Sequence, residues 1–203
     1  MNPATPGPWR LDTLEGCELA IGGYPLFRYD ARGGVAVGEA QACAGGDGLE
    51  LVFPPEGITI PPLDGRTTTV LGLPLPPGLS ISIVPQALTG QLQTTSGELQ
   101  LWFRAAFRFR IRVGRLWQLA PPDLSVEAQL SSGGCRSLRH QRQGEARNGH
   151  GNTTVAGVAT VPPCGAPWLD RFLDLPDEAL AVLRCRLTAA QEPAETPVEQ
   201  PCR

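Results

Sequence analysis

The sequence contains no lysine. All 17 cationic side chains of the 203-residue chain are arginine, set against 20 aspartate and glutamate residues, and the net charge is −3. The missing lysine excludes a Schiff-base lysine, a lysine general base and the lysine of a phosphate-binding P-loop. Arginine stays charged at physiological pH and binds carboxylates and phosphates through a planar fork. Any cationic site in this chain is therefore an arginine site.

Histidine and the common catalytic motifs are also scarce. His140 and His150 are the only histidines, and both lie in a polar, basic segment. The sequence has no Gly-x-Ser-x-Gly, His-Glu-x-x-His or Gly-x-Gly-x-x-Gly motif. These absences favour a protein that is not an enzyme and that needs no cofactor.

The chain lacks a long apolar run and the features of a secretion signal. No stretch approaches the roughly 18 apolar residues of a membrane-spanning helix. The N-terminus has neither a basic start nor an apolar core, so we expect no secretion signal. Six cysteines occur without a Cys-x-x-Cys pair, which argues against a redox motif or a zinc ribbon. We therefore expect reduced thiols and a cytoplasmic location.

Turn-forming residues are abundant, with 24 glycines and 21 prolines. This composition leaves little room for long helices and favours many short connections. We predict a disordered N-terminus over 1–8, a single β domain over 9–189 and a disordered acidic, proline-rich tail over 190–203. Eight prolines fall within 54–85, so strands there are predicted to be short or to lie at sheet edges.

The segment 99–113 shows the clearest pattern in the chain. Its odd-numbered residues are all apolar, and its even-numbered residues include four arginines. Side chains of a strand alternate between the two faces of a sheet, so the pattern predicts one long strand with an apolar face and an arginine face. Fifteen residues span about 50 Å, far more than an ordinary strand. We expect the strand to bend at Ala105 and Ala106, where small side chains leave room.

These patterns together predict a mainly β domain, either an antiparallel barrel or a two-sheet sandwich, with one or two short helices near the C-terminus. A one-turn helix is expected at 167–173. The segment from Ala179 to Leu187 is ambiguous. The preceding Pro-Asp-Glu favours a helix start, but the alternation of apolar residues with arginine favours a strand, which we adopt.

The triplet Gly7-Pro8-Trp9 resembles the Gly-x-Trp sequence that opens the first strand of lipocalins. The resemblance covers three residues only. A tryptophan that closes one end of any β core explains the same triplet, and the chain is assigned to no family on this basis.

The arginine face is the first candidate site. Residues 98–150 hold nine arginines against four acidic residues, a local charge of +5, whereas the remainder carries −8. Arginine forks suit anionic groups, and an aromatic neighbour can stack on a ring. Acidic residues on adjacent strands would instead make this an ordinary solvated face. The overall negative charge argues against nucleic acid. The candidate ligand-binding residues are Trp102, Arg104, Arg108, Arg110 and Arg112.

The apolar face of the same strand is the second candidate site. It forms either a filled core or the lining of a cavity, since a curled sheet permits both. The candidate lining residues are Phe103, Phe107, Phe109 and Ile111. A metal site is a weak alternative, because the intervening gaps of 4, 9 and 13 residues match no standard ligand spacing. Its candidate ligands are Cys135, His140, His150 and Cys164.

Three functions follow as hypotheses. The first is a non-enzymatic module that binds a small amphipathic or anionic ligand, or an acidic protein surface, around 99–113. The second is a structural subunit of a larger assembly that docks through the proline-rich segment 54–85. The third is a small enzyme that uses carboxylates, such as the acidic residues within 170–178, or a Cys/His pair from 135–164.

Overall fold

The computed structural model describes residues 5–44, 47–113 and 117–190. The chain forms sixteen strands, one turn of 3₁₀ helix and one short α-helix. In chain order they are β1 (Gly7–Thr13), β2 (Cys17–Ile21), β3 (Phe27–Tyr29), β4 (Val35–Ala42), β5 (Gly48–Phe53), the 3₁₀ turn (Pro55–Gly57), β6 (Ile58–Thr59), β7 (Thr68–Val70), β8 (Leu73–Pro74), β9 (Leu79–Gln93), β10 (Leu99–Val113), β11 (Trp117–Leu119), β12 (Leu124–Ser131), β13 (Cys135–Arg136), β14 (Gln141–Arg142), β15 (Asn152–Val161), α1 (Pro167–Phe172) and β16 (Asp177–Ala189).

Eight strands form a closed antiparallel ring in the order β1–β4–β5–β9–β10–β12–β15–β16, and β16 pairs with β1 to close it. The ring strands follow one another in chain order, which is the arrangement of an up-and-down barrel. The pairing between β12 and β15 is the least regular, with the single register pair Ser131 and Ala156. The predicted mainly β, antiparallel fold is confirmed, the barrel is the form it takes, and one short helix lies near the C-terminus.

Strand β10 is continuous over the predicted range and pairs with β9 along almost its whole length. Its register shifts between Arg104 and Ala105, at the edge of the alanine pair where we expected a bend. The extra residue lies in the partner strand, because Arg104 pairs with Ala87 and Ala105 pairs with Pro85, which leaves Gln86 unpaired. Such a bulge increases the local twist and lets two very long strands stay within a curved wall.

The prediction that the proline-rich segment holds only short or edge strands is wrong for β9. This strand runs for 15 residues, lies between β5 and β10, and contains Pro85. The proline is tolerated because it sits at the bulge, where the regular hydrogen-bond ladder is already interrupted. The bulge also explains why the inward-facing residues of β9 change from odd to even numbers. Ile81 and Ile83 face the inside of the barrel before the bulge, and Leu88 faces it after the bulge.

A second group of strands extends from the ring. The first half of β16 pairs with β2 rather than with β1, and β2 continues through β3 and β7 to β8. The second half of β16 pairs with β1. The strand predicted at Ala179–Leu187 is therefore confirmed as the central part of β16, and it changes partners along its length.

One end of the barrel is filled by a packed core, which we call the closed end. Its centre is Trp9, whose indole Nε1–H donates a hydrogen bond to the carbonyl oxygen of Thr5 at 2.9 Å. The guanidinium of Arg147 lies 5.5 Å from the centroid of the Trp9 ring, and its Nε–H donates to the carbonyl oxygen of Leu187 at 2.8 Å. This cation–π contact closes the barrel beneath its core.

The termini and the basic segment complete the description. Gly7 and Pro8, placed in the predicted disordered N-terminus, pair with β4 through Ala40 and Glu39. Most of the two predicted disordered ends, residues 1–4 and 191–203, lies outside the described residues. Residues 5, 6 and 190 are described. The basic segment after β12 forms a small hairpin of β13 and β14. No helix in the described ranges is long and apolar enough to cross a membrane.

Candidate functional site

The half of the barrel away from the closed end is hollow. It contains a cavity of about 460 Å³. Its wall consists of the inner face of the ring strands, strands β2, β3 and β7, the segment 58–63, the loop after β8, and α1. Pro76 and Phe172 both line the cavity and are exposed, so the cavity reaches the protein surface there, at what we call the mouth. Apolar pockets that hold small ligands commonly have volumes of about 300–1,000 Å³.

The lining is apolar because most of the few polar side chains that reach it are already bonded to backbone carbonyls, and the remaining one, Thr59, is exposed to solvent. The hydroxyl of Tyr29 donates to the carbonyl oxygen of Pro61. The hydroxyl of Thr13 donates to that of Gly34 at 3.1 Å, and the thiol of Cys17 to that of Leu14 at 3.4 Å.

Burial raises the pKa of Tyr29 and the pKa of Cys17, so both groups are neutral at physiological pH. Among the residues that the structure describes, no charged side chain lines the cavity. The interior therefore selects for a molecule, or a part of a molecule, that needs no hydrogen bonds.

The structure places the predicted lining residues as follows. Phe103, Phe107 and Phe109 line the cavity, whereas Ile111 is half-buried beyond it, near the C-terminal end of β10, where it pairs with Leu79. Phe107 and Phe109 pack against the cluster that contains Leu169 of α1, so the helix fixes one side of the wall.

The predicted arginine site lies on the outer face of the same sheet, away from the cavity. Arg104 approaches Glu127 of the neighbouring strand at 3.7 Å, and Arg108 forms a bidentate pair with Asp123 at 2.9 and 3.1 Å. These two arginines are thus neutralised by adjacent acidic residues, as an ordinary solvated face would be. Trp102 is on this outer face too, and is partly exposed.

Arg110 and Arg112 differ from the other two. Both are exposed on the outer face near the end of β10, and neither has a carboxylate within 4 Å among the residues that the structure describes. Because the arginines and the phenylalanines occupy opposite faces, one ligand cannot be held by both sets in the middle of the barrel.

The predicted metal and catalytic candidates lie apart from the cavity. Cys135 is on β13, His140 in the turn after it, His150 before β15 and Cys164 before α1, and none of them lines the cavity. Within the described ranges, no three His, Cys, Asp or Glu side chains group closely enough to hold a metal ion.

The acidic residues that the sequence made candidates for catalysis stabilise loops. The carboxylate of Asp170 accepts hydrogen bonds from the backbone N–H groups of Cys164 and Gly165 at 2.8 and 3.2 Å, which holds the pKa of Asp170 below its ordinary value. Glu178 accepts a hydrogen bond from the hydroxyl of Ser137 at 2.7 Å, which fixes the basic hairpin to β16. Neither arrangement presents a free acid and base to a common space.

Sequence reasoning missed the walls contributed by β2, β3 and α1. It also missed the bulge in β9, although its signal is visible in the sequence. Apolar residues occupy odd positions in Leu79-Ser-Ile-Ser-Ile83 and even positions in Leu88-Thr-Gly-Gln-Leu92. Such a change in parity within one strand requires an inserted residue.

No family model matches this chain, and neither curated proteins nor solved structures give a match. The class that the coordinates themselves define is an antiparallel eight-stranded barrel, packed at one end and hollow at the other. Barrels of this strand number are wide enough to hold one small ligand.

Proposed function

We propose that this protein binds a small apolar or amphipathic molecule inside the barrel and performs no reaction on it. The observation that supports this proposal most directly is the cavity of about 460 Å³ whose polar lining groups Thr13, Cys17 and Tyr29 are bonded to backbone. An engineered apolar cavity of about 150 Å³ already binds benzene. A space three times larger suits a fatty acyl chain or a terpenoid.

The chemistry of the lining limits what the ligand carries. A buried charge or an unpaired polar group is costly in an apolar site. The ligand body is therefore a hydrocarbon, and any acidic or hydroxyl group stays at the mouth. This modifies the sequence-based hypothesis, in which arginines of the same strand hold the acidic group.

The test uses protein purified from its own host and the fluorescent fatty acid cis-parinaric acid as a probe. Native mass spectrometry and solvent extraction show whether the purified protein carries a small apolar molecule. The delipidated protein is then titrated with the probe. We expect saturable binding at one site. A protein that carries no small molecule and binds no probe would contradict the proposal.

Two alanines of β16 provide a matched pair of variants. Ala181 lines the cavity, whereas Ala189 is exposed at the far end of the same strand. Ala181→Phe fills part of the cavity and should weaken probe binding about tenfold or more, since a misfitted ligand loses over ~1.4 kcal/mol. Ala189→Phe should bind as the wild type does. Circular dichroism confirms that both variants fold.

We also propose a cytoplasmic location for this function. Cys17, Cys43, Cys135, Cys164 and Cys185 are all free thiols, the state that a reducing compartment maintains. Thiol counting with a maleimide on denatured protein from the host tests this, and a disulfide among these five would contradict it.

A further inference from the structure

The mouth of the cavity is surrounded by four segments that contact one another. They are α1, the turn 22–26, the β7–β8 hairpin with the loop that follows it, and the end of β10 with β11. The rings of Tyr24 and Phe172 lie 5.4 Å apart, which joins the turn to α1. Phe27 pairs with Val70, which joins the same region to the β7–β8 hairpin.

The remaining contacts complete the circuit. The backbone N–H of Arg112 donates to the carbonyl oxygen of Gly78 at 2.9 Å, so the loop after β8 meets the end of β10. Leu119 of β11 pairs with Ile111. Phe109 packs against the cluster of α1 and returns to the starting point. We call these four segments the rim.

The rim carries a concentration of exposed apolar side chains. Half of the large hydrophobic side chains exposed in the described ranges belong to it: Leu71 (80%), Leu73 (68%), Phe172 (60%), Leu119 and Trp168. Leu71 also has a φ of 52° at the tip of its hairpin, a conformation that glycine or asparagine adopts more readily. Neither packing nor backbone preference accounts for a leucine there. A clustered, exposed apolar surface marks an interaction site.

The charge beside the rim identifies the chemistry of the partner. Arg110 and Arg112 extend from the outer face of β10 at the end that meets the loop after β8 and strand β11, without carboxylate partners among the described residues. The helix side carries Arg171 against Asp170 and Asp174, the second of which lies beside the turn 22–26, so the positive charge at the rim is confined to the β10 side. An apolar ring around a hydrocarbon-lined cavity, flanked by two free cations, complements a bilayer with anionic headgroups.

We propose that the rim docks onto an anionic lipid bilayer, so that the cavity exchanges its ligand directly with the acyl-chain region. This inference rests on the proposed function of the cavity. Leu71, Leu73 and Phe172 enter the interface, and Arg110 and Arg112 contact the headgroups. Docking in this orientation removes the need for an apolar ligand to cross water.

The experiment is co-sedimentation of the full chain with vesicles. One set contains phosphatidylcholine alone, and the other contains phosphatidylcholine with phosphatidylglycerol. We expect binding to the anionic vesicles, weakened in 1 M salt, where the screening length falls to about 3 Å. A surface arginine contributes about 1 kcal/mol, or about fivefold, so Arg110→Gln with Arg112→Gln should lower partitioning about thirtyfold. Leu71→Ser with Leu73→Ser should lower it at least about tenfold.

Matched controls change the same residue types away from the rim. Arg136→Gln with Arg186→Gln removes two exposed cations from the β13 hairpin and from the closed end. Val37→Ser with Val52→Ser removes two exposed apolar side chains from the ring. Both should bind vesicles as the wild type does. If the controls weaken binding as much as the rim variants, docking through the rim is excluded.

Probe titration without vesicles separates this inference from the proposed function. Rim variants that keep probe binding but lose vesicle binding support docking. A wild-type protein that binds the probe and no vesicle overturns docking and leaves the proposed function standing. A protein that binds vesicles but no probe overturns the proposed function and leaves docking onto the bilayer standing. Equal binding to neutral and anionic vesicles overturns the role of the arginines.

Discussion

The clearest consequence of a half-filled barrel is that truncating a phenylalanine has different costs at its two ends. Phe53 of β5 is buried in the closed-end core, whereas Phe109 of β10 is partly buried and faces the cavity. Phe53→Ala removes packed contacts and leaves a new void, so we expect a loss of about 4 kcal/mol in the free energy of unfolding. Phe109→Ala only enlarges an existing space, and we expect a loss of about 1.5 kcal/mol.

Urea unfolding followed by circular dichroism and tryptophan fluorescence measures both losses. Agreement of the two signals establishes two-state unfolding, and an unchanged m-value shows that midpoint shifts report stability. The probe adds a second readout, because Phe109→Ala changes the lining of the ligand site and Phe53→Ala does not. We therefore expect altered probe affinity in the first variant and unaltered affinity in the folded fraction of the second.

The reasoning fails if the two substitutions cost the same. A loss near 4 kcal/mol for Phe109→Ala would mean that its ring is packed on all sides in solution, and the cavity would not be a ligand site. A small loss for both would instead mean that the closed end is loosely packed, contrary to the burial of its side chains.

Three further predictions concern the frame around the cavity. In Gly157→Ala the added Cβ would lie 2.0 Å from a backbone oxygen of β12, so the free energy of unfolding should fall by about 3 kcal/mol. The control Gly149→Ala adds a Cβ that meets nothing within 4 Å, and thermal unfolding should show almost no change. Backbone hydrogen bonds lower the pKa of Asp170. The ionised carboxylate therefore stabilises the fold fully above about pH 4, and this stabilisation disappears as the pH falls through the lowered pKa. Asp170→Asn should reduce the decrease in Tm that acidification causes in the wild type. Burial raises the pKa of Cys185, so a thiol reagent should label Cys43 of the native protein well before Cys185, as mass spectrometry of the labelled peptides would show.

The prediction of the long strand succeeded because its information is local. Every odd residue of β10 is apolar, and a period of two specifies a strand with two chemically different faces whatever it pairs with. The strand prediction at β16 was right for the same reason. Apolar residues alternate there with Arg184 and Arg186, and this local pattern outweighed the helix-start signal that precedes it. The prediction for β9 failed because the effect of Pro85 depends on its partner strand. In a regular register it would break the hydrogen-bond ladder, but at a bulge of its own strand, beside the unpaired Gln86, it does not.

The candidate site, like the strands, was predictable from the sequence only where the information is local. Phe103, Phe107 and Phe109 could be assigned to one face from the sequence, but whether that face surrounds a core or a space depends on how much volume the other walls fill. Those walls come from β2, β3 and α1, which are far from β10 in the chain. The rim was equally hidden, because Leu71 and Phe172 are a hundred residues apart and become neighbours of one mouth only after the barrel closes.

The sequence by itself determined that this protein is a β domain with arginine as its only strong cation and with one long two-faced strand. Alternation and composition are properties of neighbouring residues, so no tertiary contact is needed to read them. Only the tertiary structure decided that the apolar face is half packed and half hollow, and that Arg110 and Arg112 have no carboxylate partner among the described residues. The cavity volume and the ion pairing of each arginine depend on residues that are distant in the chain, and these residues become neighbours only when the ring closes.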